Sequence, residues 1–88
     1  MALKKTVKEY AKILAESLED FSGEWISVDW GEPSVSEQIQ WAYPELDDDE
    51  VLEVAKEYEY LALEMAEEKG WEFDKHGIEG VMVKPASS

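Results

Sequence analysis

Two stretches with apolar residues at helical spacing, each closed by a glycine and each followed by residues of alternating hydropathy, predict a small α+β domain in this 88-residue chain. The expected architecture is a two-layer αββαββ domain, an antiparallel sheet of three or four strands with two helices packed on one face, which buries every apolar stripe in the sequence. A chain this short buries roughly 60–65% of its unfolded surface, enough for one core and little for a deep cleft. Residues 1–85 are expected to form one acidic domain and residues 86–88 a frayed tail.

The first helix is predicted over residues 3–21, where Leu3, Val7, Tyr10, Leu14, Leu18 and Phe21 recur at steps of three or four. Its charges oppose the helix dipole, with Lys4, Lys5, Lys8 and Lys12 early and Glu16, Glu19 and Asp20 late. Ser22 and Gly23 end it. From Glu24 to Trp30, Ile26, Val28 and Trp30 then share one parity against Trp25, Ser27 and Asp29, as in a half-buried strand. The turn residues Gly31, Glu32, Pro33 and Ser34 reverse the chain.

Residues 35–43 read two ways. Val35, Ile39, Trp41 and Tyr43 share a strand parity, while Ser34 with Glu37 makes a capping-box pattern for a short helix. The strand is the preferred expectation, and Pro44 ends either element because it has no amide hydrogen to donate.

The second helix has the clearest boundaries. Asp47 is its expected N-cap, Glu50 the capping-box partner, and Leu46 and Val51 a hydrophobic staple. Val51, Val54, Ala55, Tyr58, Leu61, Ala62 and Met65 form its apolar stripe, and Lys69 with Gly70 supplies the last-turn cation and the terminating glycine. Residues 71–74, a Lys75-His76-Gly77 turn and residues 78–84 then read as a hairpin.

Composition narrows function by exclusion. The 22 acidic residues face 8 Lys and no Arg, a formal net charge of −14. That charge repels phosphate backbones and anionic lipid, and no Arg is present to read phosphate or guanine bidentately, so direct nucleic-acid binding is disfavoured. No apolar run approaches the ~18 residues of a membrane span, and no membrane partner is expected. The absence of Cys removes disulfides, thiolate metal sites and thiol nucleophiles together, which makes the cytoplasm the expected compartment, that of the host if the chain is phage-encoded.

Catalytic patterns are missing from the sequence. The lone His76 sits beside Gly77, and no phosphate-cradling glycine motif or H-E-x-x-H pattern occurs. Asp47, Asp48, Asp49 and Glu50 offer hard oxygen ligands, but helix capping accounts for them and the EF-hand spacing fails, since Leu52 stands where the loop needs glycine. The chain is therefore expected to be no enzyme and to hold no metal or cofactor.

What remains is the distribution of charge. Residues 1–12 carry four Lys and Glu9, a net +3, and residues 13–88 carry four Lys and 21 acids, a net −17. On the second helix Glu50, Glu53, Glu57, Glu64 and Glu68 fall mainly at steps of three, four and seven, so they line one outward face. Like charges at i, i+4 cost roughly 0.2–0.5 kcal/mol per pair, so a helix shaped for stability alone would intersperse Lys there. Four residues of helix rise ~6 Å, close to the phosphate spacing along a nucleic-acid strand, so such a row can imitate a phosphate backbone.

The candidate partner-binding surface is therefore Asp47, Asp48, Asp49, Glu50, Glu53, Glu57, Glu64 and Glu68, joined by the aromatics Trp41, Tyr43 and Tyr60. The expected partner is a basic, nucleic-acid-binding protein whose surface this domain blocks. Small acidic domains without catalytic motifs include phage-type inhibitors of host nucleases and defence complexes, some of them DNA mimics, and nuclease immunity proteins; the analogy is one of composition. The alternative is a self-associating assembly module, a homodimer in which the Lys4, Lys8 and Lys12 stripe pairs with a neighbour's acidic face.

Overall fold

The computed structural model describes residues 5–77 and 80–86. Its elements are α1 (Val7–Ser17), which tightens into a 3₁₀ turn over Leu18–Phe21, β1 (Ile26–Ser27), α2 (Pro33–Ala42), α3 (Asp48–Lys69), β2 (Glu72–Gly77) and β3 (Gly80–Lys84). The fold is α+β, with three helices and a three-stranded antiparallel sheet of order β1-β3-β2. Relative to the expected αββαββ order, a helix stands in place of the second strand.

That replacement is the main correction. Glu32 caps α2 in extended backbone and Pro33 occupies its first turn, where the missing amide hydrogen costs nothing. Val35 and Ile39, one helical turn apart, are buried, whereas Trp41, which strand parity had grouped with them, is 85% exposed. Helical spacing therefore sorts the two buried residues from the exposed one.

α1 starts at a capping box that helical periodicity alone did not reveal. The Thr6 hydroxyl accepts from the Glu9 N–H at 3.2 Å, and the Thr6 N–H donates to Glu9 Oε1 at 3.4 Å. Tyr10, Ala11, Ala15 and Leu18 are its buried positions, and Phe21, assigned to the same stripe from sequence, is instead 49% exposed. Leu3 and Lys4 lie outside the described residues.

α3 follows the sequence closely. Asp47 Oδ1 accepts from the Glu50 N–H at 2.8 Å, and Glu50 Oε1 accepts from the Asp47 N–H at 3.0 Å. At the other end Gly70 adopts a left-handed φ of 72°, and the Gly70 and Trp71 N–H groups both donate to the Ala66 carbonyl. Twenty-two residues make a rod of ~33 Å in a molecule whose longest dimension is 39 Å. α3 is thus the spine, with α1 and α2 packed on one part of it and the sheet on another.

The sheet brings distant residues together. Ile26 pairs with Val83 and Phe73 pairs with Val83 from the other side, so these three lie across one face. Val28 and Val83 are fully buried there, and Trp71 joins them in the core cluster with Val54, Ala55, Ala62 and Ile39. Burying each of the larger apolar side chains contributes roughly 1.5–3 kcal/mol. β1 is shorter than the predicted strand over residues 24–30. Lys75, His76 and Gly77 belong to β2 rather than to a turn, with the ladder shifting register between Asp74 and Gly77. The predicted strand residue Ile78 lies outside the described residues, as do Ser87 and Ser88 of the predicted tail.

Beyond the strand, Asp29 fastens β1 to β3. Its Oδ2 accepts from the Val81 N–H at 3.0 Å and its Oδ1 from the Gly31 N–H at 2.7 Å. The carboxylate occupies the space a Cβ on Gly80 would need, and Gly80 has a φ of 86°.

Candidate functional site

The outward side of α3 follows from its inward side. Val51, Val54, Ala55, Tyr58, Ala62 and Ala66 are buried, which fixes the rotation of the helix. At roughly 100° per residue, Glu50, Glu53, Glu57, Glu64 and Glu68 then fall within a sector of about 60° on one flank. Glu53, Glu64 and Glu68 are exposed, and Glu50 and Glu57 are partly covered. From Glu50 to Glu68 the row runs ~27 Å along the rod. The described ion pairs, Lys12 with Glu16, Lys69 with Glu19 and Lys84 with Glu72, involve none of Glu53, Glu57, Glu64 and Glu68.

An open groove of about 680 Å³ runs between α1 and α3 beside that row. Glu57, Tyr60 and Glu64 form the α3 wall, Lys8, Lys12 and Glu16 the α1 wall, and Ala15, Leu61 and Met65 give it apolar surface. Leu61 and Met65, counted from sequence as core, are half-buried and open to this groove. Lys69 Nζ meets Glu19 Oε1 at 2.7 Å at one end, while Lys12 Nζ reaches Glu16 Oε1 at 4.0 Å within α1. Both pairs are solvent-exposed, where such contacts contribute ~0–1 kcal/mol.

Electrostatics mark the same wall. The hydroxyl of Tyr60, which is 61% exposed, titrates above its ordinary range because the Glu64 carboxylate accepts its proton in a hydrogen bond and then adds its charge, with burial and Glu57 contributing less. The Lys69 amine is pushed up by its hydrogen bond to Glu19 and then by that carboxylate's charge. Around the helix, Glu59 is raised mainly by burial, against the lowering effect of the Trp30 N–H that it accepts at 3.4 Å. Lys56 lies 4.8 Å from the Trp30 ring centre, so this flank of α3 is tied to the loop after β1.

The remaining candidates separate. Asp47 and Glu50 serve the α3 cap, while Asp48 and Asp49 stand exposed in its first turn, where negative charge suits the helix dipole. Tyr43 is half-buried with its ring 4.7 Å from that of Tyr10, whose hydroxyl donates to Glu45 Oε2 at 2.7 Å. Its packing role is therefore clear, whereas Trp41 points away from the buried side of α2. His76 is exposed on β2, and its backbone N–H donates to Asp74 Oδ1 at 2.9 Å. Among the described residues no three His, Asp or Glu side chains converge as metal ligands, and no helix is long and apolar enough to cross a membrane.

The sequence reading missed the groove and its Glu16, Glu19 and Lys69. The i, i+4 spacing of Lys12 and Glu16 was visible, but the Lys69–Glu19 pair depends on α1 and α3 lying side by side. The described members of the Lys stripe, Lys8 and Lys12, line the same groove as Glu57 and Glu64 of their own chain. Comparison with protein-family models, with curated proteins and with solved structures finds no match to this chain.

Proposed function

We propose that this chain is a non-enzymatic binding domain that blocks a basic, nucleic-acid-binding surface of a partner protein, in the manner of a phage-type inhibitor of a nuclease or defence complex, a DNA mimic, or a nuclease immunity protein. The observation that carries the reading is the Glu53, Glu57, Glu64 and Glu68 row, set on the longest rigid element and without a Lys ion pair among the described residues. A rigid row presents its charge without the entropic cost of ordering a loop, and a net charge of −14 steers a basic partner toward it over a range set by ionic strength. Tyr60, between Glu57 and Glu64, adds a flat contact surface that desolvates at small conformational cost.

The test uses the triple variant Glu53→Lys, Glu57→Lys and Glu64→Lys. A partner is captured from nuclease-treated lysate, purified, and titrated with the native chain and the variant at several salt concentrations, with duplex DNA as competitor. The expected result is competition with DNA, a steep salt dependence, and a tenfold or greater loss of association rate in the variant while its circular dichroism stays native. Equal binding by the two chains, or binding indifferent to DNA, refutes the reading.

A further inference from the structure

The groove between α1 and α3 carries opposite charge on its two walls. Lys8 and Lys12 stand exposed on the α1 wall, Glu64 and the partly covered Glu57 on the α3 wall, and Leu61 and Met65 are half-buried beside them. Among the described residues Lys8, Glu57 and Glu64 make no ion pair, and Lys12 reaches only Glu16, at 4.0 Å. Three Lys and four acids of the described residues line the groove, in a chain that holds 8 Lys and 22 acids. The face is therefore close to neutral on a molecule of net charge −14, and two copies repel each other least across it.

The two helices run in the same direction. The Tyr10 hydroxyl meets Glu45, just ahead of α3, and Glu19, just beyond α1, meets Lys69 at the far end of α3, each at 2.7 Å. The lined stretches also match in length, since Lys8 to Glu19 and Glu57 to Lys69 rise ~17 and ~18 Å. Lys8 is therefore level with Glu57, Lys12 with Tyr60 and Leu61, and Glu19 with Lys69. Turning a second copy by half a revolution about an axis along the groove keeps every height and exchanges the walls, so each α1 faces the other copy's α3. Lys8 then meets the second copy's Glu57, and Lys12 falls between the second copy's Glu57 and Glu64, beside its Tyr60. Glu16 and the second copy's Glu64 are the one like-charged approach, which Lys12 tempers. An axis across the groove would instead turn Lys8 toward Glu19 and Glu57 toward Lys69, two groups already paired with each other, and leave Glu64 facing no Lys.

We infer that two copies of this chain associate through the α1–α3 groove about a two-fold axis along it, with Lys8 and Lys12 of each facing Glu57 and Glu64 of the other over Leu61 and Met65. A face two helices wide, ~20 Å, and ~18 Å long offers about 400 Å² per copy, half of what a standard specific interface takes from each partner. The dimer is therefore a weak, exchanging one, populated at high protein concentration. Glu57 and Glu64 also belong to the acidic row, so a second copy and a basic partner compete for them, whereas Glu53 and Glu68 do not line the groove.

Sedimentation equilibrium of the full chain, from about 10 μM to about 1 mM in about 0.15 M salt, reads the association while screening repulsion beyond ~8 Å. The expected result is a weight-average mass that rises from 10.1 kDa toward twice that value. Two charge-reversed chains then locate the interface. Lys8→Glu with Lys12→Glu makes both walls acidic, and Glu57→Lys with Glu64→Lys makes both basic. Each alone should associate about tenfold or more weakly, with native circular dichroism. Mixed in equal amounts they should regain the association of the native chain, because in a mixed pair every acidic wall meets a basic one. Each reversal changes the charge by two, which takes −14 to −18 in one chain and −10 in the other, so both stay acidic and general attraction does not produce that recovery. A mass that stays at 10.1 kDa throughout, reversed chains that associate as the native one does, or a mixture no heavier than its components overturns the inference. Sedimentation contains this chain alone, so its outcome is independent of the partner titration that tests the proposed function.

Discussion

Gly80→Ala tests how the sheet is held closed. With φ at 86°, an alanine at this position pays roughly 1 kcal/mol or more for its backbone conformation alone. Its Cβ would also press on Asp29 Oδ2 and lie 3.0 Å from Asp29 Cβ and Cγ, closer than side chains pack. The carboxylate must then leave, giving up the Val81 and Gly31 N–H groups at 3.0 and 2.7 Å. Hydrogen bonds to a charged acceptor contribute about 1.5–3 kcal/mol in the interior and less where, as here, the group is partly exposed, so about 2 kcal/mol is expected for the two together. Gly80→Ala should therefore cost about 3 kcal/mol and Asp29→Ala about 2 kcal/mol. In the Asp29→Ala background the obstruction is gone, and Gly80→Ala should cost only the ~1 kcal/mol of backbone. Urea unfolding followed by tryptophan fluorescence and by circular dichroism gives all four stabilities. Additive losses, within about 0.5 kcal/mol, would show that Asp29 and Gly80 act independently and refute the argument.

Two further outcomes are expected. Asp47→Ala removes the acceptor for the Glu50 N–H and half of the α3 capping box, and should lower stability by about 1 kcal/mol in the same urea assay. For Tyr58, raised to about 12 by burial, the folded state holds its proton when the unfolded chain has already released its own above pH 10. Stability from this group is therefore intact below pH 10 and lost as pH rises toward 12, by up to roughly 3 kcal/mol. Urea melts from pH 9 to 12 should show Tyr58→Phe losing less stability than the native chain across that window, and parallel curves would contradict the assignment.

How much of this was legible in the sequence depended on whether the cause was local. The ends of α3 were readable because Asp47, Glu50 and Gly70 act on backbone groups within one turn of themselves. The strand preference for residues 35–43 fails because Val35, Ile39 and Tyr43, four residues apart, satisfy a period of two as well as helical spacing, and Trp41, which shares only the period of two, is exposed. Pro33 at the start of the segment was the overlooked local signal. Lys75, His76 and Gly77 read as a turn because Gly77 is a turn residue by composition, yet all three are accommodated in β2 by a register shift between Asp74 and Gly77. The acidic row was legible, since a row on one helix needs only the helix. The groove beside it was not, because its two walls come from α1 and α3 and meet only in the fold.

The order of the sheet bears on how the molecule is made. Its middle strand, β3, is the latest of the three in the chain, and β1 and β2 touch it from either side without pairing with each other. During synthesis the helices can form and collapse on α3 while Ile26 waits for Val83, which arrives dozens of residues later. Until then the β1 segment keeps its amide groups hydrated, and Val28, Trp71 and the inner side of α3 have no strand to close over them. Closing such a distant pairing carries a loop entropy that short-range helix contacts do not. A strongly like-charged nascent chain also repels its neighbours in that interval, while its last strand is still missing.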